Sequence, residues 1–245
     1  MAPHEQASAA PDISFIIPAH NEQSHIADTL RSITHAMATL DRSHELIVAD
    51  DQSTDATADI ARGLGAAVVP VSLRHIAAVR NAGARHARAE LLVFVDADTT
   101  ISAALLAELC DARRRGFIAG GAKVRFDGPV PWNVRLGMGC WNLTSRIFRW
   151  AAGCFIFTTR QAFDAAGGFD ERYFASEEIH LSAALKRLGR FRILREPVTT
   201  SARKFHAWSM WSYLKVALLS AVTFGRVLQR RDRLPQWYGN QRTDA

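Results

Sequence analysis

Leu91-Leu-Val-Phe-Val-Asp-Ala-Asp98 (LLVFVDAD, residues 91–98) decides how this chain is read. Its five consecutive apolar residues predict a strand buried on both faces, because a strand with one wet face alternates apolar and polar. Such strands belong to parallel sheets covered by helices on each side. Two carboxylates, Asp96 and Asp98, follow at once with one residue between them. Side chains two apart in an extended segment point the same way. Like charges held together raise each other's proton affinity unless a cation neutralises them. Hard divalent ions, Mg²⁺ or Mn²⁺, take carboxylate and phosphate oxygens in this manner.

The same pattern extends upstream. Ile13–Pro18, Glu45–Asp51 and Ala67–Val71 are short apolar runs that read as strands. Between them, Ile26, Leu30, Ile33, Met37 and Leu40 recur at spacings of four and three, an amphipathic helix. Ala56–Leu64, with Gly65 as C-cap, and Ile76–Ala89 supply further helices, and Ser102–Arg115 follows the deciding strand. Strand and helix in alternation predict an α/β fold with a mostly parallel sheet. Downstream, Gly120–Phe126 reads as a strand, and Gln161–Ala166 as a short helix closed by Gly167-Gly168. Glu177–Leu188 reads as a helix closed by Gly189, before a short strand at Phe191–Leu194. Residues 127–152, with Pro129, Pro131 and three tryptophans, show no assignable period. Nothing rich in Gly, Ser or Pro divides the chain. The expectation is one two-lobed domain over 12–204 and a basic helical extension over 205–245.

Composition agrees. The 245 residues are 48% hydrophobic and 22% charged, which is globular and excludes a disordered or fibrous chain. Cys110, Cys140 and Cys154 are an odd count without metal spacing, so a reducing cytoplasm is expected. The formal net charge is +6, and residues 201–245 hold eight Lys/Arg against Asp232 and Asp244. The basic excess therefore belongs to that end, and its partner is anionic: lipid headgroups, phosphates or nucleic acid. The start, MAPHEQASAAPDIS, has neither the basic nor the apolar region of a secretory leader. Trp208–Leu228 is the most apolar run, but Lys215 and Arg226 interrupt it, so no membrane span is expected.

In an open parallel sheet, ligands bind beyond the carboxyl ends of the strands. Those ends carry Pro18-Ala-His-Asn-Glu22, Asp50-Asp51-Gln-Ser53-Thr-Asp55 and Asp96-Ala-Asp98. Taken singly, Asn21, Ser24, Ser53 and Asp55 also suit helix caps. No GxGxxG follows the first strand and no GxxxxGK[ST] occurs, which disfavours dinucleotide-type and P-loop sites.

Together these pieces resemble family 2 glycosyltransferases of the GT-A fold. IIPAHNE (16–22), VADDQSTDAT (48–57), RNAGARHA (80–87), VFVDADT (93–99), GGFDE (167–171) and SEEIHLSAALKRLG (176–189) stand in the family's order over residues 12–200. The resemblance implies a nucleotide-binding N-terminal half and an acceptor-binding C-terminal half. It places Pro18, Asn21 and Glu22 around nucleobase and ribose, Asp51 on the base with Ser53 nearby, and Arg80 at the diphosphate or Asp96. Asn81 and Gly83 would approach the diphosphate or Asp96 together with Arg80. It puts Asp96 on ribose or donor sugar and Asp98 on a divalent cation, Mn²⁺ or Mg²⁺. Where the family has Glu-Asp, this chain has Glu177-Glu178; the second acid is the family's base, which selects Glu178 with Glu177 as alternative. The implied reaction is direct, inverting transfer from a nucleoside-diphosphate sugar to an acceptor hydroxyl. No QxxRW follows, so a processive synthase is not indicated.

The remaining candidates come from the residues alone. His206 would supply a third metal ligand or a structural contact. Arg203 and Lys204 would bind diphosphate or sit in solvent. His20 and His180 read as packing or hydrogen-bonding residues, and Cys154 as a small buried one. Competing readings are a nucleotidyltransferase, which PAHNE fits poorly because it lacks a Gly-rich basic loop, and a non-catalytic scaffold, favoured if Glu177 and Glu178 both point away from the Asp96–Asp98 crevice. Nucleic acid is not an expected partner, since no recognised motif accompanies the basic end. Residues 205–231 place Trp208, Trp211, Leu214, Leu218, Leu219, Val222 and Val227 on one helical pattern ahead of arginines. That pattern suits a helix capping the domain or one lying on an anionic membrane. The second alternative puts the protein on the inner face of a membrane, facing a lipid-linked acceptor.

Overall fold

The computed structural model describes residues 10–203 and 226–229. Residues 204–225 and 230–245 lie outside this range, and with them Lys204, His206 and most of the basic extension.

β1 (Ile13–Ala19), β2 (His44–Asp51), β3 (Ala67–Val71) and β4 (Leu91–Val95) pair in parallel in the order β3-β2-β1-β4. The odd residues of β1, Ile13, Phe15 and Ile17, pack with Val93 and Val95 against α1 (Ile26–Met37) and α4 (Ala103–Arg114). The even-numbered Ile16, Leu92 and Phe94 pack on the other face with Ala77 and Ala84 of α3 (Ile76–His86). Both sets are buried, which is why the strands read as unbroken apolar runs. α2 (Thr57–Gly63) joins β2 to β3. β3 lies at the sheet edge, where Pro70 is tolerated because one flank needs no ladder donor.

The sheet continues beyond β4 as β7-β6-β8-β5. β7 (Phe155–Thr159) enters antiparallel between β4 and β6 (Ala119–Phe126). β8 runs parallel to β6 over Phe191–Thr200, longer than the short strand expected from Phe191–Leu194. A register shift between Ala122 and Lys123 skips Arg195 and Glu196, and pairing resumes with Lys123 opposite Pro197. β5 (Thr99–Thr100) closes the far edge against the end of β8. The expected mostly parallel sheet is thus present, with β7 and β5 as its antiparallel members. Residues 127–152, which gave no period, contain the seventeen-residue α5 (Trp132–Phe148), with Pro131 at its N-cap. α6 (Arg160–Ala165) and α7 (Glu177–Leu188) complete the second half. Ser24 and Asn21 do not cap α1: its N-cap is His25, with no side-chain cap bond.

Gly120, the second residue of β6, marks the tightest approach at any described glycine. A Cβ there would lie 2.0 Å from the Arg192 carbonyl oxygen and 2.6 Å from the Phe157 ring. Backbone and a packed aromatic cannot both give way. We expect Gly120→Ala to destabilise by about 1–3 kcal/mol or more, as overpacked cores do, read as a lowered urea midpoint with the slope unchanged.

Candidate active site

The loops after β1, β2 and β4 open on one edge of the sheet, and hydrogen bonds hold the first two together. The Asn21 amide donates to Ser53 Oγ at 3.0 Å, and Asn21 Oδ1 accepts from the Thr54 amide at 2.8 Å. The Glu22 amide donates to Thr57 Oγ1 at 2.7 Å, and the Gln23 amide to Asp55 Oδ2 at 3.1 Å. Asn21 sits in the left-handed region at φ 52°, a conformation its short polar side chain tolerates. The two motifs read as ligand-facing are therefore also reciprocal braces. Ser53 and Asn21 spend side-chain capacity on each other's loop.

Asp51 is buried, and its Oδ1 accepts from the Leu73 amide at 2.8 Å. His20 Nδ1 donates to the Asp51 carbonyl oxygen at 2.7 Å, and its Nε2 accepts from Arg74. Asp50 is buried too, and its Oδ1 has no partner within the described residues. Pro18 is buried at the end of β1 and pairs in register with Ala49.

Arg80 of α3 is the hub. It is 2% exposed and gives Nη1 to Glu177 Oε1 at 2.5 Å, and Nη2 to Asp96 Oδ1 at 2.8 Å and the Gly153 carbonyl at 3.0 Å. Burial works against its charge, but Asp96 and Glu177 outweigh that cost and drive its pKa up. The next residue, Asn81, brackets the GGFDE loop: Nδ2 donates to the Phe169 carbonyl and to Glu171 Oε1, while Oδ1 accepts from the Phe169 amide, each at 2.9 Å. Gly83 lets α3 press on β1, since a Cβ there would meet Ile16 at 2.5 Å. Arg80 thus links the end of β4 to the start of α7, whose Glu177 lies 97 residues after Arg80 itself. Glu177 is not turned away from the Asp96 side, which removes the condition under which a non-catalytic scaffold would be favoured.

Glu178, the next residue of α7, is partly buried. Its carboxyl is pushed up to about 8, first by desolvation and then by the negative charge of Glu177. Arg80 and the helix backbone only partly offset this. The two glutamates differ: Glu177 is committed to Arg80, while burial and the charge of Glu177 favour the protonated form of Glu178. His180 is exposed and stacks on Tyr173 at 3.8 Å between centroids, so it packs as expected. Cys154 is half-buried.

A second ionic cluster lies at Asp98. Arg203 Nη2 bonds Glu22 at 2.5 and 2.6 Å and Asp98 Oδ2 at 3.1 Å. The Asp98 and Glu22 side chains are 5% and 7% exposed. Two buried carboxylates from β1 and β4 loops thus meet one guanidinium. Sequence reasoning had left Arg203 between diphosphate and solvent, and had no signal for this pair because Glu22 is 181 residues away. Arg74 was likewise missed, since nothing in its neighbourhood marks it as a partner of His20. Among the described residues no three His, Cys, Asp or Glu gather as a metal cage. Asp98 and Glu22 are the carboxylates here whose oxygens would suit a hard cation, and in this structure both are bound to Arg203.

Comparison with known proteins follows the same lines. The profile of glycosyl transferase family 2 matches residues 14–171. An undecaprenyl-phosphate 4-deoxy-4-formamido-L-arabinose transferase of Edwardsiella ictaluri is 29% identical over 129 residues, 49% of this chain and 39% of that protein. A 4,4'-diaponeurosporenoate glycosyltransferase of Staphylococcus haemolyticus is 34% identical over 97 residues, 37% of this chain and 25% of that protein. The matches therefore span two-fifths or less of these curated relatives. Among solved structures, the mannosyltransferase PcManGT of Pyrobaculum calidifontis, in complex with GDP-Man and Mn²⁺, aligns with TM-score 0.64 and 21% identity over 88% of this chain and 65% of its own. Glucosyl-3-phosphoglycerate synthase of Mycobacterium tuberculosis, with Mn²⁺ and UDP, aligns with TM-score 0.58 and 22% identity over 87% of this chain and 80% of its own. These neighbours share the α/β fold of GT-A glycosyltransferases. With the family profile covering residues 14–171 of the 245, the chain belongs to glycosyl transferase family 2.

Proposed function

We propose that this chain transfers a sugar from a nucleoside-diphosphate sugar to an acceptor hydroxyl, with inversion and one sugar per encounter. The observation that carries the reading is the Arg80 bridge. It fastens Glu177 to Asp96, so Glu178 stands beside an acid from the donor side of the crevice. In this reading Glu178 takes the proton from the acceptor hydroxyl as its oxygen attacks the anomeric carbon. The bond from that carbon to the diphosphate breaks, and the nucleoside diphosphate leaves from the opposite face. General-base action of this kind is worth roughly 10²–10⁴-fold in rate.

Asp51 and Asp50, with Pro18, Asn21, Glu22 and Ser53 around them, hold base and ribose in this reading; Asp96 orients ribose or sugar. Asp98 is the residue for Mn²⁺ or Mg²⁺ in this reading, with His206, which lies outside the described residues, as a further ligand. The ion's contribution is Lewis-acid relief of charge on the departing diphosphate. Arg203 and Lys204 add positive charge on the same side. Support for the cation comes from two neighbours solved with Mn²⁺. Support for a lipid-linked acceptor comes from the relatives named as undecaprenyl-phosphate transferases. Such an acceptor would place the protein peripherally on the inner face of a membrane. No helix of the described residues is long and apolar enough to cross one.

Removing the Asp98 carboxylate tests the ion. Asp98→Asn is expected to abolish the Mn²⁺-dependent part of UDP or GDP binding in calorimetric titration. An unchanged metal dependence overturns the assignment.

Glu178 has two independent readouts. Transfer by the wild type should climb with pH and level off above about 8, as the base sheds its proton. Glu178→Gln should retain donor binding and lose at least about 100-fold in transfer; if Glu177→Gln is the dead variant instead, the base is Glu177. Stability gives the second. The carboxyl binds its proton more tightly folded, near 8, than at its ordinary 4.5. Between these values the folded chain holds more protons than the unfolded one, so this group's effect on stability worsens as pH rises. Glu178→Gln should therefore gain melting temperature over wild type at pH 8 but not at pH 4.

A further inference from the structure

α5 (Trp132–Phe148) has two apolar faces, only one of which the described residues cover. Val134 and Ser145 are its buried residues. Trp132, Leu136, Leu143 and Ile147 are 77%, 62%, 60% and 64% exposed. At about 100° per residue, these four fall within one narrow stripe, on the side opposite Val134 and Ser145. Phe148, 53% exposed, extends the bare surface at the helix end. Scattered exposed apolar side chains are ordinary, whereas a continuous stripe marks a surface that meets something.

Charge says what it meets. From Gly128 to Phe163 the sequence holds no Asp or Glu, while Arg135, Arg146 and Arg149 are exposed and lie along one edge of the stripe. A second copy laid on this face by two-fold symmetry would set arginine against arginine with no acid to answer it. An anionic surface answers it directly. On the same arginine-bearing edge, a cavity of about 530 Å³ is walled by Val124, Phe126, Val130 and Met138, with Arg125 and Arg135 also lining it. Apolar walls with two guanidinium groups suit an amphiphile with a phosphate head.

We propose that α5 is an interfacial helix: its Trp132–Leu136–Leu143–Ile147 stripe lies in the headgroup layer of an anionic phospholipid bilayer, with Arg135, Arg146 and Arg149 on lipid phosphates. This rests on the reading of the acceptor as lipid-linked and assigns the membrane contact to the acceptor lobe rather than to residues 205–231. The arrangement of apolar stripe, basic margin and modest length is that of helices that lie on membranes.

Flotation of the full chain with vesicles tests it. Phosphatidylcholine vesicles with about 30 mol % phosphatidylglycerol are compared with pure phosphatidylcholine, at low and high salt. The wild type should float with the anionic vesicles and lose at least about tenfold in partition at high salt. Leu143→Ser/Ile147→Ser should lose about tenfold or more, and Arg135→Gln/Arg146→Gln should lose the preference for anionic lipid. Unchanged circular dichroism and nucleotide titration show that the variants are folded. A polarity-sensitive dye on Cys140, the exposed cysteine beside the stripe, should shift to the blue on anionic vesicles. The proposal is overturned if the α5 variants bind like wild type, if the dye stays in water, if the wild type does not bind, or if the wild type is a dimer that the serine variant makes monomeric. Transfer to a detergent-solubilised lipid phosphate without vesicle binding sinks the surface and leaves the acceptor reading intact. Vesicle binding with transfer only to a soluble sugar does the reverse.

Discussion

A guanidinium sealed from water must be answered by charge, and in this protein Arg80 is answered from three directions. Asp96 comes from the end of β4, Glu177 from the first turn of α7, and a carbonyl from the Gly153 turn ahead of β7. Burying an arginine costs several kcal/mol unless its partners sit at close range. The loops that carry those partners therefore have little freedom to wander. Arg80 Nε remains unpartnered among the described residues, so the balance is not generous. Such clusters are weak contributors to stability compared with apolar packing of the same size. What this one contributes is position: the acids of two lobes are held at fixed separation.

The other signature residues behave similarly. Asn21 and Ser53 join two loops, Asn81 grips the Phe169 backbone, and Gly83 and Gly168 leave room for close approach. A Cβ on Gly168 would come within 2.8 Å of Asn81 Oδ1. A motif in this fold is thus as much a set of joints as a list of ligand contacts. Its residues are spaced far apart in sequence because each joint needs one member from each loop.

β1, β4 and most of β2 were legible because they are buried on both faces and write themselves as apolar runs, LLVFV most plainly. The helix α1 was legible from its period and α7 from its closing Gly189. β7, FIFTT, was not, since its place between β4 and β6 is decided by partners that lie far away in sequence. β8 was cut short in the reading because Arg195, Glu196 and Pro197 interrupt its pattern, and only the register shift opposite them allows pairing to resume. α5 hid for a different reason: with apolar residues on opposite sides, it shows no single-faced period to find. Of the site, the acids at the strand ends and the Glu177-Glu178 pair were readable. Of the cations, Arg80 was placed near Asp96 by the family resemblance, whereas the pairing of Arg203 with Glu22 and of Arg74 with His20 was not readable, because it depends on tertiary distance alone.

The reach of the Arg80 bridge also bears on how the chain assembles. The four parallel strands are complete by Val95 and can pair with one another, their connections being short. Closing a contact costs more chain entropy as the intervening loop lengthens, and here Arg80 must wait for a residue 97 positions later, while Glu22 waits for Arg203 across 181. Until α7 docks, the first half cannot seal Arg80 without stranding part of its charge. The sheet of β1–β4 is therefore expected to form early and the crevice bridged by Arg80 late. A chain halted at the end of α4 would hold a formed sheet edge at β4, open to strand pairing, with the chemistry still unmade.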